Sequence, residues 1–508
     1  MKRKPIRRAL ISVYYKEGLE PIVRRLHELG VELISTGGTR KYLESLGLPV
    51  TAVENLTAYP SILDGRVKTL HPKIFGGILA RREDDHLKQL ETYDIPEIDL
   101  VIVDLYPFEE TVAAGGSEDE IIEKIDIGGI ALIRAAAKNF RDVLIVPSRE
   151  EYAYLLGLLQ REAAYSEEEE RRMLARRAFE VSSHYDAAIF SYFEEAERPT
   201  AFKADARPAR SLRYGENPHQ KACFYGPLER SFKQWGGKDL SYNNLVDVDA
   251  ALGLIREFWG EKPVFAVLKH TNPCGVAQRE TPLEAWKAAL AGDPVSAFGG
   301  IVVANCTIDE ETAEAINELF YEVLIAPAFA EKAKEILLKK KKRIVLQWQY
   351  EAASSRQFKS LLGGVIEQDT DLKGESLEDL RVVTERQAEA ALLEEMLFAN
   401  RIVKHLKSNA IALTKGRQLI GMGCGQTSRI DALNQALEKA RRLGFDPAES
   451  VLASDAFFPF ADSVEAAYQA GVAGLIQPGG SIRDQDSIDF CNRHGLVMVF
   501  TGVRHFKH

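Results

Sequence analysis

The sequence predicts an α/β protein with more than one domain. In its N-terminal part, short apolar runs alternate with amphipathic segments of helical period, which is typical of a parallel sheet flanked by helices. The chain has 508 residues, too many for one ordinary domain. A polar segment at 194–211 holds two prolines and little periodicity. We therefore expect a boundary near residue 199 and domains at 1–198 and 199–508.

The elements can be placed in order along the chain. In the N-terminal part, strands are predicted at 9–13, 31–35 and 98–106. Helices are predicted there at 17–30, 39–47 and 168–187. In the C-terminal part, strands are predicted at 264–268, 299–305 and 471–477.

The C-terminal part contains a faint internal repeat. VFAVLKHTNPCG precedes a helical pattern and then SAFGG, and SNAIAL…GMGCGQTS precedes a second helical pattern and then SDAFFPF. A strand, a Cys-Gly turn, a helix and an Ala-Phe pair thus occur twice in the same order. A duplicated module and a chance similarity both remain open.

Composition excludes some functional classes. Hydrophobic residues make up 45% and charged residues 28% of the chain, the balance of globular proteins. The net charge of −10 disfavours a general nucleic-acid binder, so an anionic ligand needs a local basic pocket. KKKKR at 339–343 predicts a solvated helix end, with a nucleic-acid patch as the alternative.

The five cysteines indicate no metal or disulfide framework. They are scattered and form no C-x-x-C pair. Pro273-Cys274 also lacks the second cysteine that a zinc deaminase needs. A reducing compartment fits this usage, and no apolar run reaches the roughly 18 residues that span a membrane. We expect a cytoplasmic protein without a catalytic metal, and neither membrane nor nucleic acid as a partner.

Polar residues follow several predicted strands of the N-terminal part. Lys16 follows the first strand, STGGT at 35–39 begins at the end of the second, and Tyr106 follows the residues IDLVIVDL of the third. The carboxyl ends of parallel strands meet in one crevice, and a Gly-rich turn before a helix presents N–H groups to phosphate. A pocket for a phosphorylated small molecule is the functional interpretation; an ordinary N-cap and glycine turn is the alternative.

Two further N-terminal stretches carry charged groups. DGRVKTLHPK at 64–73 offers Arg66 and Lys68, which could hold phosphate. KIDIGGIALIRAAAKN at 124–139 has Asp126 before a helix start and Lys138 about three turns later. The alternatives are a basic surface loop, a cap and a charge that offsets the helix dipole.

The C-terminal candidates lie in turns and at strand ends. Candidate groups are Arg213, Tyr214 and His219 of LRYGENPHQ and Asn244 of GKDLSYNNLVD. LKHTNPCG at 268–275 places Lys269 and His270 at the end of a buried strand, facing a crevice. A histidine suits general acid–base chemistry and an adjacent lysine can stabilise an oxyanion. A capped strand end with two exposed polar residues is the alternative.

Twelve stretches in this order resemble one known family. They are SVYYKEGL, STGGT, GRVKTLHPK, LYPF, EKIDIGGIALIRAAAKN, LRYGENPHQ, LKHTNPCGVA, SAFGGIVVAN, SNAIAL, GQTSRIDAL, SDAFFPF and VRHFKH. The family joins phosphoribosylaminoimidazolecarboxamide (AICAR) formyltransferase to inosine monophosphate (IMP) cyclohydrolase. The resemblance implies an N-terminal methylglyoxal-synthase-like domain and a C-terminal formyltransferase of two cytidine-deaminase-like subdomains without zinc. It also implies a homodimer.

The resemblance further implies the ligands and the roles of residues. The ligands would be AICAR, formyl-AICAR and IMP, with 10-formyltetrahydrofolate as cosubstrate. Residues implied in catalysis are Lys269, His270, Asn409, Lys68, Tyr106, Asp126 and Lys138, with Asp126 and Lys138 as candidates for proton transfer during ring closure. Residues implied in binding are Ser12, Lys16, Ser35, Thr36, Gly37, Gly38, Thr39, Arg66, Thr69, Arg213, Tyr214, His219, Asn244, Phe298, Gly299, Phe457, Asp462 and Arg504.

Some positions depart from the family pattern. Tyr14 and Tyr15 replace a polar pair, Asp104 stands where asparagine is frequent, and Ala461 stands where some relatives have arginine. We expect Asp104 either to face a hydroxyl or amide or to be protonated. An N-terminal domain that only senses nucleotide is the alternative to a second enzyme, although sensing requires no proton-transfer groups.

Overall fold

The chain divides into two units, Met1–Asp205 and Ala206–His508. The computed structural model describes residues 3–161, 163–194, 199–350 and 354–508. The predicted domain boundary follows residue 198, and residues 195–198 lie outside the described residues.

Unit 1, Met1–Asp205, is built around a parallel sheet. Its strands are β1 Lys4–Pro5, β2 Arg8–Ser12, β3 Glu32–Ser35, β4 Thr51–Ala52, β5 Leu100–Val103, β6 Leu144–Val146 and β7 Tyr165–Ser166. Its helices are α1 Glu20–Glu28, α2 Gly37–Ser45, α3 Val53–Thr57, α4 Pro72–Leu79, α5 Asp84–Thr92, α6 Phe108–Ala113, α7 Glu118–Glu123, α8 Gly128–Lys138, α9 Tyr152–Arg161 and α10 Glu168–Phe193. The predicted strands and helices of this unit are confirmed.

The order of the parallel strands is β4-β3-β2-β5-β6. Strands β5 and β6 are fully buried, which explains why they read as continuous apolar runs. Strands β2, β3 and β5 are neighbours, so the residues after their carboxyl ends converge on one edge. The short strands β1 and β7 form a separate antiparallel pair.

Unit 2, Ala206–His508, has more strands than unit 1. They are β8 Ala209–Leu212, β9 Ala222–Tyr225, β10 Phe232–Gly236, β11 Val264–Lys269, β12 Asn272–Gln278, β13 Ile301–Ala304, β14 Val323–Ala326, β15 Ile344–Trp348, β16 Arg356–Leu361, β17 Gly364–Asp369, β18 Arg381–Val382, β19 Ile411–Thr414, β20 Leu419–Gly423, β21 Val451–Ser454, β22 Gly474–Gln477 and β23 Val497–Phe500. The helices are α11 Leu228–Ser231, α12 Tyr242–Arg256, α13 Pro282–Ala291, α14 Glu310–Glu318, α15 Glu331–Leu338, α16 Ala390–Val403, α17 Arg429–Arg442, α18 Asp462–Gln469 and α19 Asp484–His494.

The internal repeat is a duplicated module. One sheet has the order β10-β15-β14-β13-β11-β12 and the other has β18-β23-β22-β21-β19-β20. In each sheet three neighbouring strands are parallel: β13, β14 and β15 in the first, and β21, β22 and β23 in the second. A β-hairpin, β11–β12 or β19–β20, pairs antiparallel with the first strand of the three. Another antiparallel strand, β10 or β18, pairs with the last. Hairpin β16–β17 lies in the chain between the two modules.

The predicted Cys-Gly turn is wrong in the first module. Pro273, Cys274 and Gly275 lie inside β12, an edge strand, where proline is tolerated because one side of the strand has no partner in the sheet. Glycine is needed there for another reason. A Cβ on Gly275 would lie 1.9 Å from the carbonyl oxygen of Ala289 in α13, and a Cβ on Gly423 would lie 1.9 Å from that of Ala432 in α17. The glycine that occurs in both copies of the repeat is therefore required by the close packing of a helix on the strand.

The KKKKR stretch follows α15, as expected of a helix end, but its last residue is not solvated. Lys339 to Lys342 are exposed, whereas Arg343 is buried and donates to the side-chain oxygen of Asn317 over 2.7 Å. The arginine therefore anchors the segment between α15 and β15.

Candidate functional sites

The ends of β2 and β3 are tied together in unit 1. The Ser35 hydroxyl donates to the carbonyl oxygen of Ile11 over 2.7 Å. The Thr39 hydroxyl donates to the carbonyl oxygen of Val13 over 2.8 Å and accepts from the Val13 N–H over 3.1 Å. Ser12, which ends β2, and the STGGT turn therefore lie side by side at one edge of the sheet.

The STGGT turn presents the start of α2 to a basic side chain. Gly37, the first residue of α2, has φ of +55°, a conformation that favours glycine. A Cβ on Gly37 would lie 3.0 Å from the Nζ atom of Lys68. Gly38 is exposed, while Thr36 is buried and donates to Glu54 over 2.6 Å. Backbone N–H groups and an ammonium thus face the same space, an arrangement that suits phosphate.

The segment after α3 supplies charged and hydroxyl groups. Thr69 is buried, and a Cβ on Gly128 would lie 3.1 Å from its hydroxyl. Arg66 is exposed and forms an ion pair with Glu123. His71 caps α4, since its Nδ1 atom accepts from the N–H of Lys73 over 3.1 Å.

Asp126 is a buried carboxylate near this edge of the sheet. Its Oδ1 atom accepts from the N–H of Gly129 over 2.6 Å, and its own N–H donates to the Tyr185 hydroxyl over 2.7 Å. Burial raises the pKa of Asp126, while hydrogen bonds from the Gly129 and Tyr106 N–H groups and the charge of Lys68 act in the opposite direction. Asp126, Tyr106 and Lys68 are therefore close neighbours.

Tyr106 brings a phenol to the same place. Its ring is half exposed, and burial, followed by the charges of Asp126 and Glu123, raises its pKa. The phenol therefore stays protonated near neutral pH and can donate a hydrogen bond.

Lys138 lies at the far end of α8 from Asp126. Asp126 precedes the first residue of α8 and Lys138 is its last residue. At 1.5 Å per residue the helix separates them by about 15 Å along its axis. Their expected cooperation in proton transfer stays a prediction. Lys138 is exposed at the helix end, where its charge offsets the dipole.

Three of the residues that depart from the family pattern, Asp104, Tyr14 and Tyr15, contact one another. Asp104 is buried and accepts from the backbone N–H groups of Tyr14 and Tyr15, the latter over 3.1 Å. Burial raises its pKa to about 6, while those hydrogen bonds and the charges of Lys16 and Arg149 act in the opposite direction. Asp104 thus faces amides, one of the two expected arrangements.

In unit 2, Lys269 and His270 lie at the tip of a β-hairpin. They come at the end of the buried strand β11, as expected, and both neighbours of β11 in the sheet are antiparallel to it. Lys269 pairs with Asn272, and the intervening His270 and Thr271 have φ of +51° and +66°, as in a tight two-residue turn. The Thr271 N–H donates to Asp247 over 2.7 Å, which anchors the turn.

The amine of Lys269 faces the segment before β13. Its Nζ atom donates to the carbonyl oxygen of Phe298 over 3.0 Å. Gly299 follows with φ of +75°, and its N–H donates to the carbonyl oxygen of Phe320 over 2.7 Å. The His270 side chain is exposed at the tip of the hairpin. An amine and an imidazole are thus presented next to the SAFGG segment.

Asn409 is held on both sides just before β19. Its Nδ2 atom donates to the carbonyl oxygens of Gln426 and Thr427 over 3.0 and 3.3 Å. Its Oδ1 atom accepts from Arg429 over 2.8 Å. Arg429 is buried, forms an ion pair with Asp455 and donates to the Ser454 hydroxyl over 2.8 Å.

Arg429 and Asp455 were missed as candidate residues by sequence reasoning. The only available signal was that both lie within stretches that resemble the family, GQTSRIDAL and SDAFFPF. From sequence alone, an arginine at the start of a helix is expected to be solvated. The burial of Arg429 results from tertiary contacts, which a local pattern does not show.

The edges of the two modules bring Asn409 to the Lys269 turn. The Gln278 N–H donates to the carbonyl oxygen of Arg417 over 2.9 Å at one end of β12. At the other end, the Cys424 thiol donates to Asn272 over 3.4 Å. Asn272 follows the Lys269 turn, and Cys424 precedes the carbonyl group that holds Asn409. The three predicted catalytic groups of unit 2 thus lie around one junction.

The C-terminal tail runs past the same junction. The Ser408 N–H donates to the carbonyl oxygen of Lys507 over 2.9 Å, and the His505 N–H donates to that of Asp455 over 3.1 Å. The buried His505 ring lies 2.6 Å from Asp371 and 3.0 Å from Glu375. These carboxylates raise the pKa of His505 to about 9 against the effect of burial. Arg504 is exposed beside it.

The remaining predicted binding residues differ in their surroundings. Arg213 and Tyr214 are close neighbours, with a 3.2 Å hydrogen bond between them, and His219 is exposed. Asn244 is buried and caps α12: its Oδ1 atom accepts from the N–H and the hydroxyl of Ser241. Its Oδ1 atom is thus used in the cap, and its expected role in substrate binding stays a prediction.

Two further predicted residues precede and begin α18. Phe457 is partly exposed after β21, and Asp462 is the first residue of the helix. The Asp462 carboxylate accepts from the Ser463 N–H over 2.6 Å.

Within the residues that the structure describes, no three His, Cys, Asp or Glu side chains are grouped as a metal ion would need. Helices long and apolar enough to cross a bilayer are absent from the described part of the chain.

Comparisons with known proteins assign both parts of the chain. Residues 136–439 match the family described as AICARFT/IMPCHase bienzyme, and residues 18–131 match the MGS-like domain. A bifunctional purine biosynthesis protein PurH of Bacteroides thetaiotaomicron is 58% identical over 99% of both chains. Proteins of the same name from Acetivibrio thermocellus and Chlorobium chlorochromatii are each 46% identical, over 99% of this chain and 100% and 99% of theirs.

Proposed function

The chain belongs to the AICARFT/IMPCHase bienzyme family, and from this premise we propose which residues carry each reaction. It transfers a formyl group to AICAR and closes the ring to IMP in purine biosynthesis. The formyl donor is of the folate type, and we propose 10-formyltetrahydrofolate. We assign ring closure to unit 1 and formyl transfer to unit 2.

Formyl transfer requires a stronger nucleophile than AICAR offers, because its ring delocalises the lone pair of the 5-amino group. We assign His270 to accept the amine proton as nitrogen bonds to the formyl carbon. Lys269 stabilises the oxygen that becomes negative. The bond from the formyl carbon to N10 of the folate then breaks, and N10 takes a proton. Lys269 uses one of its three N–H donors on Phe298, so two remain for this oxygen.

Asn409 orients the amine. Both hydrogens of its amide group are engaged by backbone carbonyls, which fixes the orientation of the side chain. Its Oδ1 atom accepts from Arg429 and keeps a second lone pair. We assign that lone pair to an N–H of the AICAR amine.

The other polar groups of unit 2 suit the ends of the two substrates. We assign the nucleotide phosphate and ribose to Arg213, Tyr214, His219 and Arg504, which supply cationic and neutral donors. We assign the folate to Phe298, Gly299, Phe457 and Asp462. The position of Phe298 against the Lys269 amine supports this, because the formyl group must reach that amine.

Ring closure needs a proton to leave the carboxamide nitrogen and a water molecule to leave the former formyl carbon. We assign the first task to Asp126, because its raised pKa brings a carboxylate closer to neutral pH, where a general base works best. Lys68 and the Tyr106 phenol stabilise and protonate the departing oxygen. Their proximity to Asp126 supports this assignment.

The phosphate and ribose of formyl-AICAR are assigned to the edge formed by β2 and β3. The groups are Ser12, Lys16, Ser35, Thr36, Gly37, Gly38, Thr39, Arg66 and Thr69. The start of α2 and the Lys68 amine supply positive potential there, which explains how an acidic protein holds an anionic nucleotide.

We also propose that the chain works as a homodimer. All residues of β16 and β17 are exposed on both faces of their hairpin, including Val365 and Ile366. A two-stranded hairpin is only marginally stable alone, so an apolar cover would stabilise it. Sedimentation of Ile366→Glu tests this: the account predicts a shift toward monomer, and an unchanged dimer contradicts a role for the hairpin.

One observation carries the assignment of formyl transfer to unit 2: the contacts from the Lys269 turn through Asn272 and Cys424 to Asn409. The test uses the full chain with each half-reaction supplied separately. Asn409→Leu should lose formyl transfer and keep cyclisation of added formyl-AICAR. Lys68→Gln should do the reverse. Loss of both activities in either folded variant would overturn the assignment.

A further inference from the structure

Asp104 fixes the backbone turn that follows β2. Its carboxylate accepts from two successive N–H groups, those of Tyr14 and Tyr15. The Lys16 amine donates to the carbonyl oxygens of Val13 and Tyr14, the latter over 2.9 Å. The turn is therefore held by Asp104, which directly follows β5, and by its own lysine, although two of its residues are large aromatics.

The two tyrosines have different surroundings. The Tyr15 hydroxyl donates to Glu110 over 2.8 Å, and the Arg149 guanidinium lies 4.5 Å from the centre of its ring. Tyr15 thus anchors the turn against α6 and the segment after β6. Tyr14 carries no such anchor for its hydroxyl among the described contacts, and its ring is 42% exposed.

The Tyr14 ring forms a corner with Tyr106. The ring centres are 5.5 Å apart and the ring planes are at 82°, an edge-to-face arrangement. Both rings are about equally exposed, at 42% and 40%. Asp126 lies beside Tyr106, and the Lys124 amine lies 5.9 Å from the Tyr14 ring centre. Two perpendicular aromatic surfaces therefore open to solvent next to the groups assigned to ring closure.

A planar heterocycle fits such a corner, because it can stack on one ring while its edge meets the face of the other. We propose that Tyr14 is a further binding residue for the imidazole of formyl-AICAR, and that Asp104 is a positioning residue that acts through Tyr14. The inference rests on the assignment of ring closure to unit 1. In this chain, Tyr14 and Asp104 work as a pair: the carboxylate holds the turn, and the turn presents the aromatic ring.

The test follows cyclisation of added formyl-AICAR by the full chain. Tyr14→Ala should raise the KM about tenfold, the effect of losing one stacking contact with a base, and change kcat much less. Tyr14→Phe should stay near the parent, because the ring and not the hydroxyl makes the contact. Tyr93→Ala removes another exposed tyrosine of unit 1 and is the matched control.

Asp104 is tested through the same KM. Asp104→Ala should raise it as Tyr14→Ala does, and Asp104→Asn should restore much of the loss because its carboxamide oxygen can still accept an N–H. An unchanged KM in Tyr14→Ala, or equal damage in Tyr14→Phe, would overturn the inference. If Tyr14→Ala leaves the KM unchanged and Lys68→Gln leaves cyclisation intact, the assignment of ring closure to unit 1 fails. If Lys68→Gln abolishes cyclisation while Tyr14→Ala changes nothing, only the inference fails. Thermal unfolding of each variant, followed by circular dichroism, reports whether the chain is folded.

Discussion

Lys269 and Lys415 occupy the same register position in the two modules of unit 2. Each lysine comes directly after the strand residue that pairs with the first residue of a neighbouring strand. That first residue is Ile301 of β13 in one module and Val451 of β21 in the other. Each amine donates to the carbonyl group three residues before that strand, that of Phe298 over 3.0 Å and that of Ala448 over 2.7 Å. Lys269 is followed by His270 and Lys415 by Gly416, so the proposed acid–base pair occurs in only one of the two modules.

The first prediction uses this symmetry. Lys269→Gln should reduce kcat for formyl transfer by about 10²-fold to 10⁴-fold, because the negative oxygen loses its ammonium partner. Lys415→Gln removes the same hydrogen bond in the other module and should leave kcat nearly unchanged. The measurement is formyl-AICAR formation under saturating substrates. Equal losses in both variants would show that the lysines serve only the hairpins.

The second prediction concerns the buried arginine. Arg429→Leu leaves the Asp455 carboxylate buried without its ion pair, which should lower the free energy of unfolding by about 3–5 kcal/mol. The orientation of Asn409 should also be lost, so formyl transfer falls. Arg441→Leu, on the exposed side of the same helix, should change stability by about 0.5 kcal/mol or less. Urea unfolding measures both; a stable Arg429→Leu chain contradicts the role of the pair.

The third prediction is a pH dependence from His505. Its pKa is raised from 6.5 to about 9 by Asp371 and Glu375. The protonated ring therefore stabilises the fold fully below about pH 6.5, and this contribution is lost as pH rises through about 9. The shift corresponds to about 3 kcal/mol. His505→Gln should remove most of this dependence between pH 7 and 9.5, whereas His508→Gln should not. Denaturant midpoints across that range check the result.

The fourth prediction concerns the stability effect of Asp104. Burial raises its pKa to about 6, so its ionised form is disfavoured in the folded state. The resulting destabilisation is absent below about pH 4 and complete above about pH 6. Asp104→Asn should therefore raise the free energy of unfolding at pH 7 by about 1–3 kcal/mol, with little change at pH 4. Equal effects at both pH values would exclude the charge as the cause.

Sequence patterns predicted the strands of unit 1 well, because buried parallel strands read as continuous apolar runs. The convergence of Lys16, STGGT and Tyr106 was predicted from the rule that the carboxyl ends of parallel strands meet at one edge, and the strands that precede them are neighbours in the sheet. The separation of Lys138 from Asp126 along α8 was not predicted, because the order of motifs says nothing of the length of a helix. The 11 residues of α8 are known only from its bounds in the structure.

The hairpin of unit 2 was harder to predict. Asn272-Pro273 reads as a turn, yet Pro273 lies in an edge strand, where the sheet requires no N–H from it on the open side. Arg429 reads as a surface residue, and its partner Asp455 is remote in sequence. Buried ion pairs and strand edges depend on tertiary contacts, so a local pattern does not reveal them.

The central claim is that two separate sites act in sequence, and a mixing experiment tests it most directly. Asp126→Asn should convert AICAR to formyl-AICAR and stop there, while Lys269→Gln should convert only added formyl-AICAR to IMP. Incubated together with AICAR and 10-formyltetrahydrofolate, the two folded variants should form IMP after formyl-AICAR accumulates. If Asp126→Asn makes no formyl-AICAR, or the mixture makes no IMP, the two-site account is contradicted.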